Sequence, residues 1–312
     1  MVLVPLILFI IGVIVLAKSS NLVINKSIAL MEITGLSLLT IGFAILAFGT
    51  SVPELAIGLI SSVQGHPNIS IGNVIGASIA DILLILGISL VLGLSYNKIK
   101  KDEKRIIEKI LISTIVIAIA LILLGTVGLV FGFFCVVLFF ILSSELIDKK
   151  HRGNVNSIDN VDKTRLSKIV ILLCLGLILV VIAAKIVVDS AVELSEIFGL
   201  RESFLGVIII SLGTTLPELS VTLSAVRKKQ GEIAIGNIAG SILFNMTFIL
   251  GMVIFISATT IGQTIMIAAG FLILTNLFLI YMIRRGRLGV KEGVLMLLMY
   301  SAFIFAVTLV GA

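Results

Sequence analysis

Charge is what this sequence has least of: Asp, Glu, Lys and Arg together make up 13% of its 312 residues. A soluble domain carries about a quarter, because its surface must face water. With apolar residues at 59% and a mean hydropathy of +1.28, the chain has too little polar surface for a soluble globule and reads as a bilayer protein. Cysteine is scarce too. Cys135 and Cys174 sit in apolar runs with no Cys or His beside them, so they read as small buried hydrophobes and not as a disulfide or metal pair. The two histidines, His66 and His151, fall in connecting segments, which excludes a His-built zinc or haem site. A leader is also missing: MVLVPLILFIIGVIVLAKSS has neither a basic start nor a small-residue cleavage pattern, and is expected to be a retained first span.

What is abundant is long apolar runs. A helix needs about 20 residues to cross the hydrocarbon layer. Ten candidates fit: 2–18, 37–62, 69–94, 106–125, 129–147, 167–188, 203–226, 233–257, 264–283 and 292–311. They are too long and continuous for strands of a membrane barrel, which run to about ten alternating residues. The expected fold class is an all-α polytopic membrane protein.

The pI near 9.4 does not signal nucleic acid, because the basic residues cluster in connections between spans. Lys98, Lys100, Lys101, Lys104 and Arg105 lie in one such connection, and six more Lys and Arg in 148–168. Residues 227–229 read Arg-Lys-Lys, and Arg284, Arg285, Arg287 and Lys291 lie in the last connection. With ten spans all four connections share one side. The other side has the uncharged turns 63–68, 126–128 and 258–263, with Lys185 and Arg201 near the sixth-to-seventh connection. The positive-inside rule then puts the basic connections in the cytoplasm and both termini outside. The polar stretch 148–166 reads as a cytoplasmic linker between a first half, 1–147, and a second, 167–312.

The halves repeat each other. GFAILAFGTSVPE at 42–54 aligns with GVIIISLGTTLPE at 206–218, and IGNVIGASIADILLILG at 71–87 with IGNIAGSILFNMTFILG at 235–251, both at an offset of 164. The match reaches back through Glu32/Glu196, Gly35/Gly199 and Leu36/Leu200. Five spans separate each residue from its mate, so the second copy crosses in the opposite sense. Inverted five-helix repeats of this kind build secondary transporters, with substrate held near the midplane between interrupted helices.

Three of the 17 acids, Glu54, Asp81 and Glu218, lie deep in spans with no Lys, Arg or His at similar depth. An acid there costs at least about 2.5 kcal/mol and marks an ion path by default. Each Glu follows a proline, Pro53 or Pro217, which removes a backbone donor and leaves a carbonyl one turn earlier free. Thr50 and Ser51 precede Glu54 as Thr214 and Thr215 precede Glu218, on helical spacing that puts hydroxyls on the carboxylate's face. Asp81 and Asn245, with Ser241 one turn before Asn245, supply the facing helices. Carboxylates, hydroxyls and freed carbonyls form an oxygen cage suited to a hard cation. Gly72/Gly76 and Gly236/Gly240 permit close helix approach. Asn73 and Asn237, two turns before Asp81 and Asn245, read as helix braces or caps sooner than as ligands. Lys26, Glu32, Asp189, Glu193 and Glu196 give the first and sixth spans polar tails.

At these residues the chain resembles the sodium/calcium exchanger family of the cation/calcium antiporter superfamily, in its compact prokaryotic ten-helix form. GTSVPE and GTTLPE are similar to the family signature, and GNxxGxxxxx followed by Asp or Asn to its partner; the Asn-Ala-x-Glu form of many proton/calcium exchangers is missing. The resemblance implies a Na+/Ca2+ antiporter of a prokaryotic cell membrane working by alternating access, with spans 1 and 6 moving against the other eight. It implies no enzyme activity and no cofactor beyond the transported ions, and a chain able to act as a monomer. It makes Glu54 and Glu218 the central ligands, with Thr50, Ser51, Thr214, Thr215 and Ser241 adding oxygens. The backbone carbonyls of Ala47 and Ser211 bind sodium in this scheme, and positions 81 and 245 complete the site. Two features depart from the pattern: the acid of the 81/245 pair is in the first repeat instead of the second, and Ala77 replaces a serine. These keep a Ca2+/H+ or other cation/H+ antiporter as the alternative.

Overall fold

The computed structural model describes residues 2–34, 47–93, 101–146, 163–227, 231–286 and 288–311. Residues 148–162 of the 148–166 linker, with His151, and 95–100 of the 95–105 connection therefore lie outside the described residues, as do Gly35, Leu36, residues 42–46, 228–229 and Arg287.

Among the described residues ten helical bodies follow one another. They are α1 (Leu3–Thr34), α2 (Ala47–Thr50 and Val52–Val63), α3 (Pro67–Ala80, continuing through 81–91), α4 (Lys101–Leu124) and α5 (Leu129–Leu146). The second set is α6 (Lys163–Phe198), α7 (Glu202–Phe204 continuing to Thr214, then Leu216–Arg227), α8 (Gly231–Leu243, continuing to Ile256), α9 (Gln263–Arg285) and α10 (Val290–Gly311). Eight are long and apolar enough to cross a membrane as described, and Val52–Val63 and Leu129–Ser144 are shorter apolar helices.

The first and sixth spans outrun their expected limits of 2–18 and 167–188. No Gly or Pro occurs between residues 13 and 34 or between 177 and 198, so nothing stops either helix when its side chains turn polar. At 32 and 36 residues they reach about 48 and 54 Å, well beyond a hydrocarbon layer of about 30 Å.

Packing follows the inverted relation. A Cβ placed on Gly12 of α1 would touch Val187 of α6, and one on Gly176 of α6 would touch Val23 of α1, so these two mates lie antiparallel along each other. The mates α4 and α9 also pair antiparallel, through Asn276 Nδ2 donating to Thr114 Oγ1 at 2.8 Å and Arg284 to Glu108 at 3.0 Å. Gly87 of α3 meets Gly293 of α10, and its mate Gly251 of α8 meets Gly132 of α5. Equivalent helices thus make equivalent contacts about a pseudo-twofold axis.

The turns sort onto two ends. A two-stranded antiparallel pair, β1 (Thr126–Val127) and β2 (Thr259–Thr260), joins the α4–α5 and α8–α9 turns. Thr259 Oγ1 also donates to Asn68 Oδ1 in the α2–α3 region at 3.5 Å, and Arg201 N donates to Gly311 O at 3.3 Å. The uncharged turns and the end of α10 therefore share one end, and Arg284 with Glu108 marks the other. The α2–α3 turn is closed by Gly65 at φ +87°, with Gly65 N donating to Ser62 O and His66 N to Ser61 O.

α3 and α8 are the centre. Of their span windows 83% is buried, against 28% for α6 and α10, whose Leu, Ile and Phe side chains face outward.

Candidate ion-binding site

α2 and α7 are each interrupted in the same place. Pro53 cannot donate to the carbonyl of Gly49, nor Pro217 to that of Gly213, and the helices break at Ser51 and Thr215. Each break places the carbonyl end of one short helix against the amide end of the next. Glu54 and Glu218 lie in the first turn of the second pieces, where the helix dipole favours a negative charge.

Both carboxylates are fully buried, as is Asp81, and the three lie within electrostatic reach of one another in the centre of the bundle. No Lys, Arg or His is buried among the described residues. Glu54 Oε1 and Oε2, both Asp81 oxygens, Glu218 Oε2 and both polar atoms of Asn245 have no hydrogen-bond partner there. Stranding so many polar atoms in an apolar core is costly unless a cation is the partner.

The expected hydroxyls divide unequally. Ser51 Oγ donates to Glu218 Oε1 at 3.3 Å, and the hydroxyls of Thr50 and Ser241, themselves 3.3 Å apart, face the same carboxylate. Thr214 faces Glu54, but its proton goes to Asn73 Oδ1 at 3.0 Å. The Thr215 hydroxyl donates to its own helix, to Ser211 O at 2.9 Å and Leu212 O at 3.3 Å. As a threonine just past a helix turn, it answers the nearest carbonyls first. Ser211 Oγ likewise bonds Val207 O, while its carbonyl accepts from Thr214 and Thr215. Ala47 opens the described part of α2, one turn before Thr50 and Ser51.

Sequence reasoning missed two features. Wide, π-helical turns run Asp81–Leu86 and Phe244–Ile249, starting at or beside the paired 81 and 245 positions, with a third at Leu205–Ile210 ahead of Ser211. Such insertions recur at functional sites because they re-aim side chains, and nothing in residue spacing announces them. Thr222 was missed too. It accepts from Asn237 Nδ2 at 3.3 Å, and its one signal was a polar residue one turn after Glu218 where the first repeat has Gly58.

The asparagines are braces. Thr50 Oγ1 donates to Asn237 Oδ1 at 3.5 Å as Thr214 donates to Asn73, so the same bond is made twice by the inverted copies. The close approach behind them is backbone to backbone: a Cβ on Gly72 would lie 2.6 Å from Ser203 O, and those on Gly76 and Gly206 would strike the carbonyls of Val207 and Ile69.

A family profile described as "Sodium/calcium exchanger protein" matches residues 4–144 and 168–309. The chain belongs to the sodium/calcium exchanger family. It is a secondary active transporter and not an enzyme. This exchanger is 27% identical to "Sodium/calcium exchanger MaX1" of Methanosarcina acetivorans over 97% of its own length and 98% of that protein's. It is 28% identical to "Inner membrane protein YrbG" of Escherichia coli, over 78% of each chain. Among solved structures it is similar to the sodium-calcium exchanger NCX_Mj soaked with Na+ and no Ca2+, at a TM-score of 0.68 and 25% identity, covering 98% of this chain and 99% of that one. The shared fold is the ten-helix bundle of two inverted five-helix repeats. Among the described residues no three Asp, Glu, His or Cys side chains close into a metal cluster.

Proposed function

We propose that this exchanger carries Na+ one way and Ca2+ the other across a prokaryotic cell membrane, both ions competing for the cage of Glu54, Glu218 and Asp81. The observation that carries the reading is the full burial of three carboxylates with no buried basic side chain among the described residues. The countercharge must come from the transported ions, and an empty cage is costly to carry through a closed core. Glu54 and Glu218 are the central ligands. Thr50, Ser51, Thr214, Thr215 and Ser241 add hydroxyl or backbone oxygens, Ala47 and Ser211 backbone carbonyls, and Asn245 an amide oxygen.

The long pair α1 and α6 is the moving element. They pack along each other, α1 also along the α2 and α7 breaks and α6 along the second piece of α2, while most of their surface faces outward. Residues 1–147 and 167–312 are the two halves, joined by a cytoplasmic 148–166, and the basic ends of the bundle face the cytoplasm with both termini outside. Because each half completes the other's cage, one chain is a full transport unit.

The test is Ca2+ uptake into proteoliposomes loaded with Na+ and diluted into Na+-free buffer, beside K+-loaded vesicles at clamped pH. Uptake that needs the outward Na+ gradient supports the reading. Uptake driven by an outward proton gradient alone would replace it with Ca2+/H+ exchange.

A further inference from the structure

Positive charge gathers where α4 begins and α9 ends. Residues 98–109 and 284–292 together hold ten basic residues against four acids, an excess of six that equals the formal net charge of the entire chain. The two segments are far apart in sequence, and the antiparallel pairing of α4 with α9 brings them together: Arg284 Nε and Nη2 donate to Glu108 Oε1 and Oε2 at 3.3 and 3.0 Å. Glu108 is thereby engaged, and Glu292 accepts from Gly289 N at 3.0 Å. Lys104, Arg105 and Lys291 have no ion-pair partner among the described residues. Arg285 is positioned by an aromatic ring instead of an acid. Its guanidinium lies 5.9 Å from the centre of the Tyr281 ring and its Nη1 donates to Tyr281 Oη at 3.2 Å, so its charge is held in place without being neutralised.

From this basic end both helices turn an apolar stripe outward. On α9 Leu274, Leu277, Tyr281 and Arg284 recur at helical spacing and are exposed, and on α4 so do Arg105, Ile112, Val116 and Ile119. The Arg284–Glu108 bridge joins the two stripes, because Glu108 lies one turn before Ile112. Each stripe therefore runs from aliphatic side chains to a guanidinium, with Tyr281 at the boundary, the level at which such rings collect in a membrane. That order matches a phospholipid taken from acyl chain to headgroup. In a zwitterionic lipid the headgroup amine offsets the phosphate, whereas an anionic lipid keeps a net charge for arginine forks to bind.

We infer that the basic end of the α4–α9 pair is a binding site for an anionic phospholipid, with the headgroup among Lys104, Arg105 and Arg285 and the chains along the outward stripes of the two helices. The lipid reinforces the Arg284–Glu108 tie between helices of opposite repeats. The site depends neither on which ions are carried nor on which side of the membrane this end faces.

The experiment titrates dioleoylphosphatidylglycerol, or dioleoylphosphatidylcholine as its neutral counterpart, into the full chain in detergent. Native mass spectrometry reads the retained lipid, and the midpoint of thermal aggregation reads its effect on stability. Wild type is expected to retain the anionic lipid about tenfold or more in preference to the neutral one, and to gain stability saturably from the anionic lipid alone. Equal retention of the two lipids overturns the inference. Arg105→Gln/Arg285→Gln is expected to weaken retention of the anionic lipid about 25-fold, at about fivefold for each basic residue beside an anionic headgroup. Lys185→Gln/Arg201→Gln removes the same charge from the other end and should leave retention unchanged. An equal loss in both variants would reduce the effect to net charge and overturn the site. Inorganic phosphate in large excess is expected not to displace the lipid, because the chains are held as well; displacement would leave a bare anion site and overturn the lipid assignment. If the Arg105/Arg285 variant is not monodisperse, a photoactivatable phosphatidylglycerol on wild type decides. Crosslinks confined to 105–119 and 274–285 support the site, and crosslinks spread evenly over the outward helices overturn it.

Discussion

The Thr214 hydroxyl donates to Asn73 Oδ1 at 3.0 Å, joining residues 141 positions apart and tying the broken helix of one repeat to the central helix of the other. Thr50 and Asn237 make the mirror bond. These two contacts hold the Thr50 and Thr214 hydroxyls in place across the halves, so the surroundings of Glu218 and Glu54 draw on both repeats.

The braces are unequal, which gives a graded expectation. Asn237 is itself anchored by Thr222, while Asn73 Nδ2 has no partner among the described residues. Asn237→Ala loosens both Thr50 and Thr222 and should raise the Ca2+ concentration for half-maximal uptake about 3- to 15-fold, from one or two interhelical hydrogen bonds in a membrane. Asn73→Ala should fall at the low end of that range. Uptake titrations on the two proteins, matched for yield, make the comparison.

Replacing a central carboxylate should be far more severe. Glu54→Gln and Glu218→Gln each keep the shape and remove a buried charge that, on the proposed function, binds the cation. Truncating one partner of such a pair costs about 2–5 kcal/mol, or thirtyfold and upward in binding. Na+-driven uptake is expected to drop to the level of empty vesicles while size-exclusion profiles stay unchanged; wild-type rates in a folded Glu218→Gln would remove it from the site.

The α3–α7 crossing has no room for a side chain. Gly76→Ala puts a methyl into the Val207 carbonyl and should cost about 1–3 kcal/mol, lowering the midpoint of thermal aggregation in detergent. Gly236→Ala meets nothing within 4 Å among the described residues and should shift that midpoint much less.

The Asn276–Thr114 bond pins α4 to α9 away from the cage. Asn276→Leu should therefore lower thermal stability by about 0.6–1.7 kcal/mol while leaving the Na+ and Ca2+ dependence of uptake as it is. Parallel stability and uptake assays separate the two effects.

Sidedness has its own readout. In a cysteine-free background, a membrane-impermeant thiol reagent applied to whole cells should label Gln64→Cys, at the uncharged-turn end, and spare Lys104→Cys until the membrane is opened. The reverse pattern would invert the orientation.

Much of this was legible in the amino-acid order because its causes are local or repetitive. Hydropathy marks a span wherever about 20 apolar residues run together. The offset of 164 carries GTSVPE onto GTTLPE and, with an odd number of spans between, dictates the inversion. Pro53 and Pro217 break their helices whatever surrounds them, and acids at 54, 81 and 218 without basic neighbours already imply a cation. The tertiary structure alone decided the rest. Helix ends at Thr34 and Phe198 outlast the apolar runs because backbone hydrogen bonds do not stop where side chains turn polar. The wide turns at Asp81–Leu86 and Phe244–Ile249 answer to packing and leave no trace in spacing. Which hydroxyl turns to a carboxylate and which to its own helix depends on the nearest acceptor in three dimensions: Ser51 reaches Glu218, whereas Thr215, its mate in sequence, reaches Ser211 O.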